Sequence, residues 1–89
     1  VFDPGVVHVH PDDNVVVATR PLPAGTALAL PRGRLTLRDE VDAGHKIALA
    51  DLASGVQVIK YGQPIGVVTQ DCAAGAWVHS HNLATELRD

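Results

Sequence analysis

The sequence predicts a mainly β domain with short strands, glycine turns and little helix. Eight glycines and six prolines divide its 89 residues into short pieces, and both residue types interrupt regular structure. The pieces between them are rich in β-branched residues, which favour strands. No stretch has the long 3.6-residue apolar period of an amphipathic helix. Because 89 residues suit one domain better than two, a single domain is expected.

The strand signal is clearest in segments that combine valine or isoleucine with flanking turn residues. Residues 10–14, the sequence HPDDN, predict a turn before the first of them, since Asp and Asn bond readily to turn N–H groups. Residues 61–66, the sequence YGQPIG, predict a hairpin connection in which Gly62 makes the turn. Gly66 would then admit a neighbouring chain. The predicted strands are 15–19, 47–49, 56–59, 65–69 and a last strand at 78–82.

One pattern occurs four times: an apolar residue, two residues, glycine, two residues, and another apolar residue. Glycine takes a positive φ at no steric cost, so each copy predicts a tight turn that leads into a strand. The glycines are unevenly spaced, which excludes a regular solenoid. Asp51 and Asp71 precede two copies and are expected to bond to N–H groups of the turn that follows each of them. The copies are residues 22–28, 41–47, 52–58 and 72–78.

Composition narrows the classes of partner. Net charge is −3 and the seven basic residues are scattered, so no nucleic-acid partner is expected. No apolar run approaches about 20 residues, so no membrane partner is expected. The single cysteine, Cys72, reads as a small buried filler and favours a reducing, cytoplasmic location. Residues 1–7 are expected to be leader residues without a structural role, with the domain spanning residues 8–89.

The most suggestive polar motif is His79-Ser-His81. On a strand, residues two apart face the same side, so both imidazoles would project together. Imidazole suits divalent zinc, iron, copper or nickel, but a site needs further ligands from elsewhere. His8 and His10 have the same spacing and could complete it if the chain ends meet. The alternative is a pair of exposed strand histidines.

Two further motifs favour anion binding. The turn at Gly44 presents His45 and Lys46 side by side, and such a pair can bind a carboxylate. Lys60 and Tyr61 offer a second cation with a phenol beside it. The alternative for these motifs, taken singly, is one surface lysine and one half-buried tyrosine without a binding role.

In combination, these segments resemble a known family. HPDDNVVVA, LPAGTAL and the run VDAGHK through VHSHN occur in this order. The arrangement is similar to the N-terminal domain, or separate small subunit, of the altronate dehydratase family, which includes galactarate dehydratases and the small subunit of sulfolactate sulfo-lyase. The resemblance covers residues 8–89 and is most specific from Gly44 to Asn82. It implies an SAF-type β-clip, a long hairpin folded back on itself.

The resemblance also implies a function. The complete enzyme would be a hydro-lyase that removes water from a sugar acid to give a 2-keto-3-deoxy acid, with iron or manganese as its divalent metal. Most of its active site would lie in a large catalytic domain or subunit, so this chain alone is expected to be inactive. The implied site residues are His79 and His81 for metal, His45, Lys46 and Asn82 for substrate, and Lys46, Lys60 and Tyr61 as candidates for catalysis.

Two other functions are compatible with the sequence. One is a non-catalytic dimerisation or interaction module, and the other is a stand-alone carbohydrate-binding or metal-binding SAF domain. A homodimer is expected in each case, because short open strands leave edges that a partner usually covers.

Overall fold

A computed structural model of the chain describes residues 1–85. Within that range the backbone forms short strands and no helix, which confirms the mainly β class. No helix in this range could cross a membrane. The strands are β1 Val6–Val7, β2 Val15–Ala18, β3 Ala27–Ala29, β4 Arg34–Thr36, β5 Lys46–Ala48, β6 Gln57–Lys60, β7 Gln63–Val68, β8 Trp77–Val78 and β9 Leu83–Ala84.

All strand pairs are antiparallel and form three small sheets. The largest has the order β1-β2-β5-β8, the second β6-β7-β9, and the third pairs β3 with β4. In the largest sheet, Ile47 lies opposite Val16 on one side and opposite Trp77 on the other. The segment after Gly44 therefore lies directly beside the segment after Gly75, although about thirty residues separate them in sequence.

All four copies of the glycine pattern form the tight turns that the sequence predicts. In each copy the backbone N–H of the residue after glycine donates to the carbonyl three residues earlier, and glycine has φ between 84° and 91°. This is the geometry of a type II turn, which requires positive φ at its third residue. The turn bonds join Thr26 to Pro23, His45 to Asp42, Val56 to Ala53 and Ala76 to Ala73.

The four copies also pair with one another. Leu22 and Val41 exchange two backbone hydrogen bonds of 2.8 and 2.9 Å, and Leu52 and Cys72 exchange two of 2.7 and 2.8 Å. The first copy thus joins the second, and the third joins the fourth. This reciprocal pairing folds the chain back on itself, as a β-clip requires.

The predicted roles of Asp51 and Asp71 are half correct. Both carboxylates do accept turn N–H groups, but each serves the turn of the other copy. Asp51 accepts from Ala74 at 2.8 Å, and Asp71 accepts from Ser54 at 2.9 Å. The Leu52–Cys72 pairing is the reason, because it brings each aspartate beside the opposite turn and away from its own.

Two hydrophobic clusters make up the core, and nearly all their members are aliphatic. Cys72 belongs to the second cluster and is buried, as predicted for a small filler. The first cluster contains Val6, Val16, Ala18, Leu22, Leu28, Leu35, Leu37, Val41 and Ile47. The second contains Val15, Ala48, Leu52, Val58, Val68, Cys72 and Val78.

Residues 1–7 have a structural role, contrary to the expectation that they lie outside the fold. β1 pairs with β2, and Val6 is buried in the first core cluster. Phe2 packs against the same cluster. The Asp3 N–H donates to Ala29 at 2.8 Å, which ties the start of the chain to β3. No sequence pattern announced this, because two paired residues are too few to show a strand period.

The hairpin at residues 60–63 is confirmed. Lys60 pairs with Gln63, and the two turn residues between them both have positive φ, 59° for Tyr61 and 74° for Gly62. This is the type I′ pattern of two-residue hairpins. Gly66 also acts as predicted, because a Cβ atom there would lie 2.5 Å from the backbone oxygen of Ala84 in β9.

Candidate functional site

Four aromatic rings from two distant parts of the sequence meet beside the β5–β8 pair. The rings of His45 and His79 stack with centroids 4.5 Å apart and planes 11° from parallel. The Trp77 ring lies 5.1 Å from His79 at 13°, and 5.8 Å from His45 at 16°. His81 is tilted by 36° against Trp77 at 4.7 Å. We call these four side chains the ring cluster.

The cluster is assembled by the glycine turns and the sheet register. His45 is the last residue of the Asp42–His45 turn and Lys46 is the first of β5, so the Gly44 turn delivers both side chains together. On the other side, Trp77 begins β8. Its backbone N–H donates to Asp39 Oδ2 at 2.9 Å, and its carbonyl accepts from Asn82 Nδ2 at 2.9 Å.

His79 and His81 do not lie on a strand, contrary to the sequence prediction. β8 ends at Val78, and residues 79–82 form a turn in which the Asn82 N–H donates to the His79 carbonyl at 3.0 Å. The two imidazoles still come to the same place, but through contact with Trp77. One ring stacks on the indole and the other tilts against it.

Electrostatics make this surface receptive to anions. Partial burial lowers the pKa of the His79 imidazole, and the electrostatic influence of neighbouring His45, Lys46 and His81 lowers it further. The lowered pKa favours the neutral imidazole. Partial burial also lowers the pKa of Lys46, and repulsion from Lys60 adds to that effect.

Lys46 has no counterion among the residues that the structure describes. Its side chain is half-buried, and no carboxylate within residues 1–85 lies within ion-pair distance of its ammonium group. Burying a charge without a partner costs free energy, and an incoming anion would remove that cost. Together with imidazole N–H donors next to it, Lys46 can hold a carboxylate by charge-assisted hydrogen bonds.

Comparison with known proteins identifies the family of this chain. The family model of the altronate/galactarate dehydratase SAF domain matches residues 4–86. This chain belongs to that family. The match includes the ring cluster and all four glycine turns, and it begins before residue 8, where the domain was expected to start.

Relatives of this SAF domain include longer proteins that contain a similar segment, and a protein that is named as a separate subunit. The chain is 48% identical over 83 residues to altronate dehydratase of Escherichia coli (strain K12), covering 93% of this chain and 17% of that protein. Altronate dehydratase of Bacillus subtilis (strain 168) is 36% identical with the same coverage. The (2R)-sulfolactate sulfo-lyase subunit alpha of Paracoccus pantotrophus is 43% identical over 53 residues, which is 60% of this chain and 79% of that subunit.

Asn82 is placed for a structural role in the SAF domain. It is buried with 4% of its surface exposed. Its Oδ1 accepts from the His79 N–H at 2.9 Å, while Nδ2 donates to the Trp77 carbonyl and contacts Cys72 Sγ at 3.5 Å. With its amide oxygen and nitrogen both bonded, Asn82 supports the histidine turn, and the substrate contact predicted for it stays a prediction.

Lys60 and Tyr61 lie at the tip of the β6–β7 hairpin. The Lys60 Nζ is 4.9 Å from the centre of the Tyr61 ring, and 60% of Tyr61 is exposed. Neither side chain stacks within the ring cluster. Their connection to the site is electrostatic, through the repulsion between Lys60 and Lys46.

A positive φ is unusual for tyrosine, and Asp13 holds it. The buried Asp13 carboxylate accepts from the N–H groups of Tyr61 at 3.1 Å and Gly62 at 2.8 Å, and from that of His10 at 3.1 Å. Burial alone raises the pKa of this carboxyl, but the three backbone N–H groups outweigh burial and lower it. The sequence predicts Asp13 in a turn, but no local pattern shows that its carboxylate also accepts N–H groups of a second turn 48 residues away.

His8 and His10 have partners of their own. His8 bonds to the Asp13 carbonyl at 2.9 Å and packs on Phe2 with ring centroids 4.7 Å apart. His10 accepts from the Asp12 N–H and its ring lies over Gly62. Among residues 1–85 neither ring stacks with the ring cluster, so the two histidine pairs do not combine into one site in the way their spacing suggested.

The potential metal donors in the described part of the chain do not by themselves form a complete metal centre. No group of three His, Cys, Asp or Glu side chains within residues 1–85 is arranged to hold a metal ion. Catalytic zinc sites, for comparison, use three protein ligands. His79 and His81 could supply at most part of a centre whose other ligands come from another domain or chain.

A surface depression of about 450 Å³ lies away from the ring cluster, beside the Leu52–Cys72 pairing. Asp51 and Asp71 line it, and both are already bonded to turn N–H groups. None of its lining residues belongs to the ring cluster, and its two carboxylates stabilise turns of the fold.

Trp77 is the site residue that sequence reasoning missed. It touches all three histidines of the ring cluster, yet the sequence motifs predicted no role for it. A signal was present, since the only tryptophan stands two residues before His79 in the most specific motif. An aromatic residue close to several histidines in sequence therefore indicates that its ring packs against them.

Proposed function

We propose that this SAF domain is the small subunit or N-terminal domain of an altronate-type hydro-lyase and forms the anion-binding wall of its active site. The observation that supports this most is the meeting of His45, Lys46, His79 and His81 on one surface. The substrate would be a sugar acid, dehydrated to a 2-keto-3-deoxy acid in the cytoplasm. The chain spans about a sixth of the altronate dehydratases it matches, so a large catalytic partner would supply the rest.

The wall would act on the carboxylate of the substrate. Loss of the proton next to a carboxylate places additional negative charge on its oxygens. Donors and cations already oriented toward that charge stabilise the transition state more than the ground state. Lys46 would pair with the carboxylate, and His45 or the neutral His79 would donate an N–H.

Proton transfer would fall to residues whose pKa and position allow it. As an alternative to pairing with the carboxylate, Lys46 in its neutral form would act as a general base, a role that its lowered pKa, caused by burial and Lys60, favours. Lys60 and Tyr61, at the exposed hairpin tip, would meet the large partner and take part from there. Iron or manganese, which the family resemblance implies, would be held mainly by that partner, with His79 and His81 as further ligands.

Kinetics of the complete enzyme test this proposal. A charge-assisted hydrogen bond contributes about 1.5–3 kcal/mol, so Lys46→Met should lower kcat/KM by roughly 10- to 150-fold. His79→Ala and His81→Ala should lower kcat or metal content. Ser80→Ala is the matched control, because Ser80 is exposed and lies between the two histidines. Unchanged kcat and metal content in both histidine variants would exclude a direct role in the site.

An interaction module that positions the large partner is the second candidate. The hydrogen bonds of Asn82 favour this second candidate, because they show that one residue of the histidine motif stabilises the fold of the domain itself. In that case the histidine variants would weaken assembly with the partner and leave kcat of the assembled enzyme unchanged. A stand-alone metal-binding role predicts instead that the isolated chain binds iron, manganese or zinc below millimolar concentration.

A further inference from the structure

We infer that Trp77 is a positioning residue of the site, whose indole N–H holds His45 in the tautomer that carries its proton on Nε2. The consequence for substrate binding rests on the proposed function, but the positioning itself does not. His45 would then present an N–H donor to the carboxylate.

The bond between the two rings dictates the tautomer. Trp77 Nε1 lies 3.1 Å from His45 Nδ1. An indole N–H can only donate, so Nδ1 must be the acceptor. A neutral imidazole has one donor and one acceptor nitrogen, which leaves the proton on Nε2. The two ring planes are 16° from parallel with centroids 5.8 Å apart, an arrangement that is compatible with a bond between ring edges.

Trp77 is held firmly enough to set the position of its neighbours. Its N–H and carbonyl are bonded to Asp39 and Asn82, and its backbone lies opposite Ile47, which is fully buried. Stacking against histidine needs only an aromatic ring, which phenylalanine also offers. The N–H donor, however, is specific to tryptophan. The side chain therefore combines a common packing role with one directional bond that Trp77→Phe would remove.

The tautomer matters because the opposite one would turn a lone pair on Nε2 toward the anion. A donor would become a repelling acceptor. Loss of one hydrogen bond to a charged group weakens binding by roughly 10- to 150-fold, and a mixed tautomer loses only part of that. Trp77→Phe should thus lower kcat/KM for the sugar acid about tenfold.

Nitrogen-15 NMR of the 89-residue chain is the direct test. In the unaltered chain the Trp77 indole resonance should show scalar coupling across the hydrogen bond to His45 Nδ1, and the His45 shifts should report a single tautomer. This measurement needs no variant, so it does not depend on whether Trp77→Phe folds. A solvent-exchanging indole without coupling, or a mixed His45 tautomer, would overturn the inference.

The variants separate this inference from the proposed function. Trp77→Phe should give a mixed His45 tautomer and the lower kcat/KM, while Phe2→Leu, an aromatic change at a side chain that packs against the first core cluster, should alter neither. An unaltered tautomer in Trp77→Phe would refute the positioning role. If His45→Ala leaves the activity of the complete enzyme unchanged, the proposed function fails while the tautomer result stands.

Discussion

Gly75 offers the sharpest test of how the turns hold the site. Its φ is +91°, and a Cβ atom there would lie 2.2 Å from the backbone oxygen of Thr36. Gly55 has the same φ of +91°, but nothing lies within 4 Å of its Cβ position. Alanine at either residue meets the same backbone strain, and only alanine at Gly75 also collides with a neighbouring strand. The pair therefore separates strain from close packing.

The expected losses follow from these two terms. Alanine at a positive φ costs about 1–2 kcal/mol, which is the whole effect expected for Gly55→Ala. At Gly75 the Thr36 oxygen must also retreat by about 1 Å, and forced repacking of this kind costs roughly 1–3 kcal/mol more. The Arg38 N–H donates to the Gly75 carbonyl at 3.0 Å, so this bond would lengthen as the strands part. Gly75→Ala should therefore lose about 2–5 kcal/mol.

Urea unfolding followed by circular dichroism measures the difference. Gly55→Ala should shift the midpoint modestly, and Gly75→Ala should shift it further, by the equivalent of about 1–3 kcal/mol, with a similar m-value. In a domain of this size each kcal/mol lowers Tm by roughly 4–8 °C. Losses for the two variants that agree within about 0.5 kcal/mol would show that Thr36 does not pack against Gly75, and would refute the reasoning.

Three other changes test separate parts of the structure. Asp13→Asn should destabilise the chain more than Asp12→Asn, because Asp12 is an exposed side chain. The folded pKa of Asp13 is lowered, so its stabilisation is present at neutral pH and lost as pH falls below about 4. The acid unfolding curves of Asp13→Asn and of the unaltered chain should therefore converge below that pH. Asn82→Ala should lower the free energy of unfolding in urea by about 2–4 kcal/mol, because two backbone groups lose buried partners. A variant that is as stable as the unaltered chain and differs only in a higher KM would instead support the predicted substrate contact of Asn82. Sedimentation of the chain at high concentration should show a dimer that covers the open strand edges, and a monomer alone would contradict that expectation.

Local chemistry accounts for what could be predicted from the sequence. The four turns followed from glycine at a fixed place in a short pattern, and each closes within four residues. The hairpin at Tyr61 and Gly62 and the close approach at Gly66 were likewise predicted from a few adjacent residues. Strands 15–19, 56–59 and 65–69 were found to within two residues of β2, β6 and β7. The functional motifs around His45 and His79 were also visible as residue types.

The tertiary structure decided which of these pieces meet. Asp51 and Asp71 bond to each other's turns because Leu52 pairs with Cys72, a contact across 20 residues that no local pattern specifies. His79 and His81 come together through a turn against Trp77, where the period of a strand predicted a different geometry. Backbone turns depend on φ and on bonds between near neighbours, so the sequence alone determined them. The ring cluster depends on the register between β5 and β8, and that register is set by burial of residues far apart in the chain.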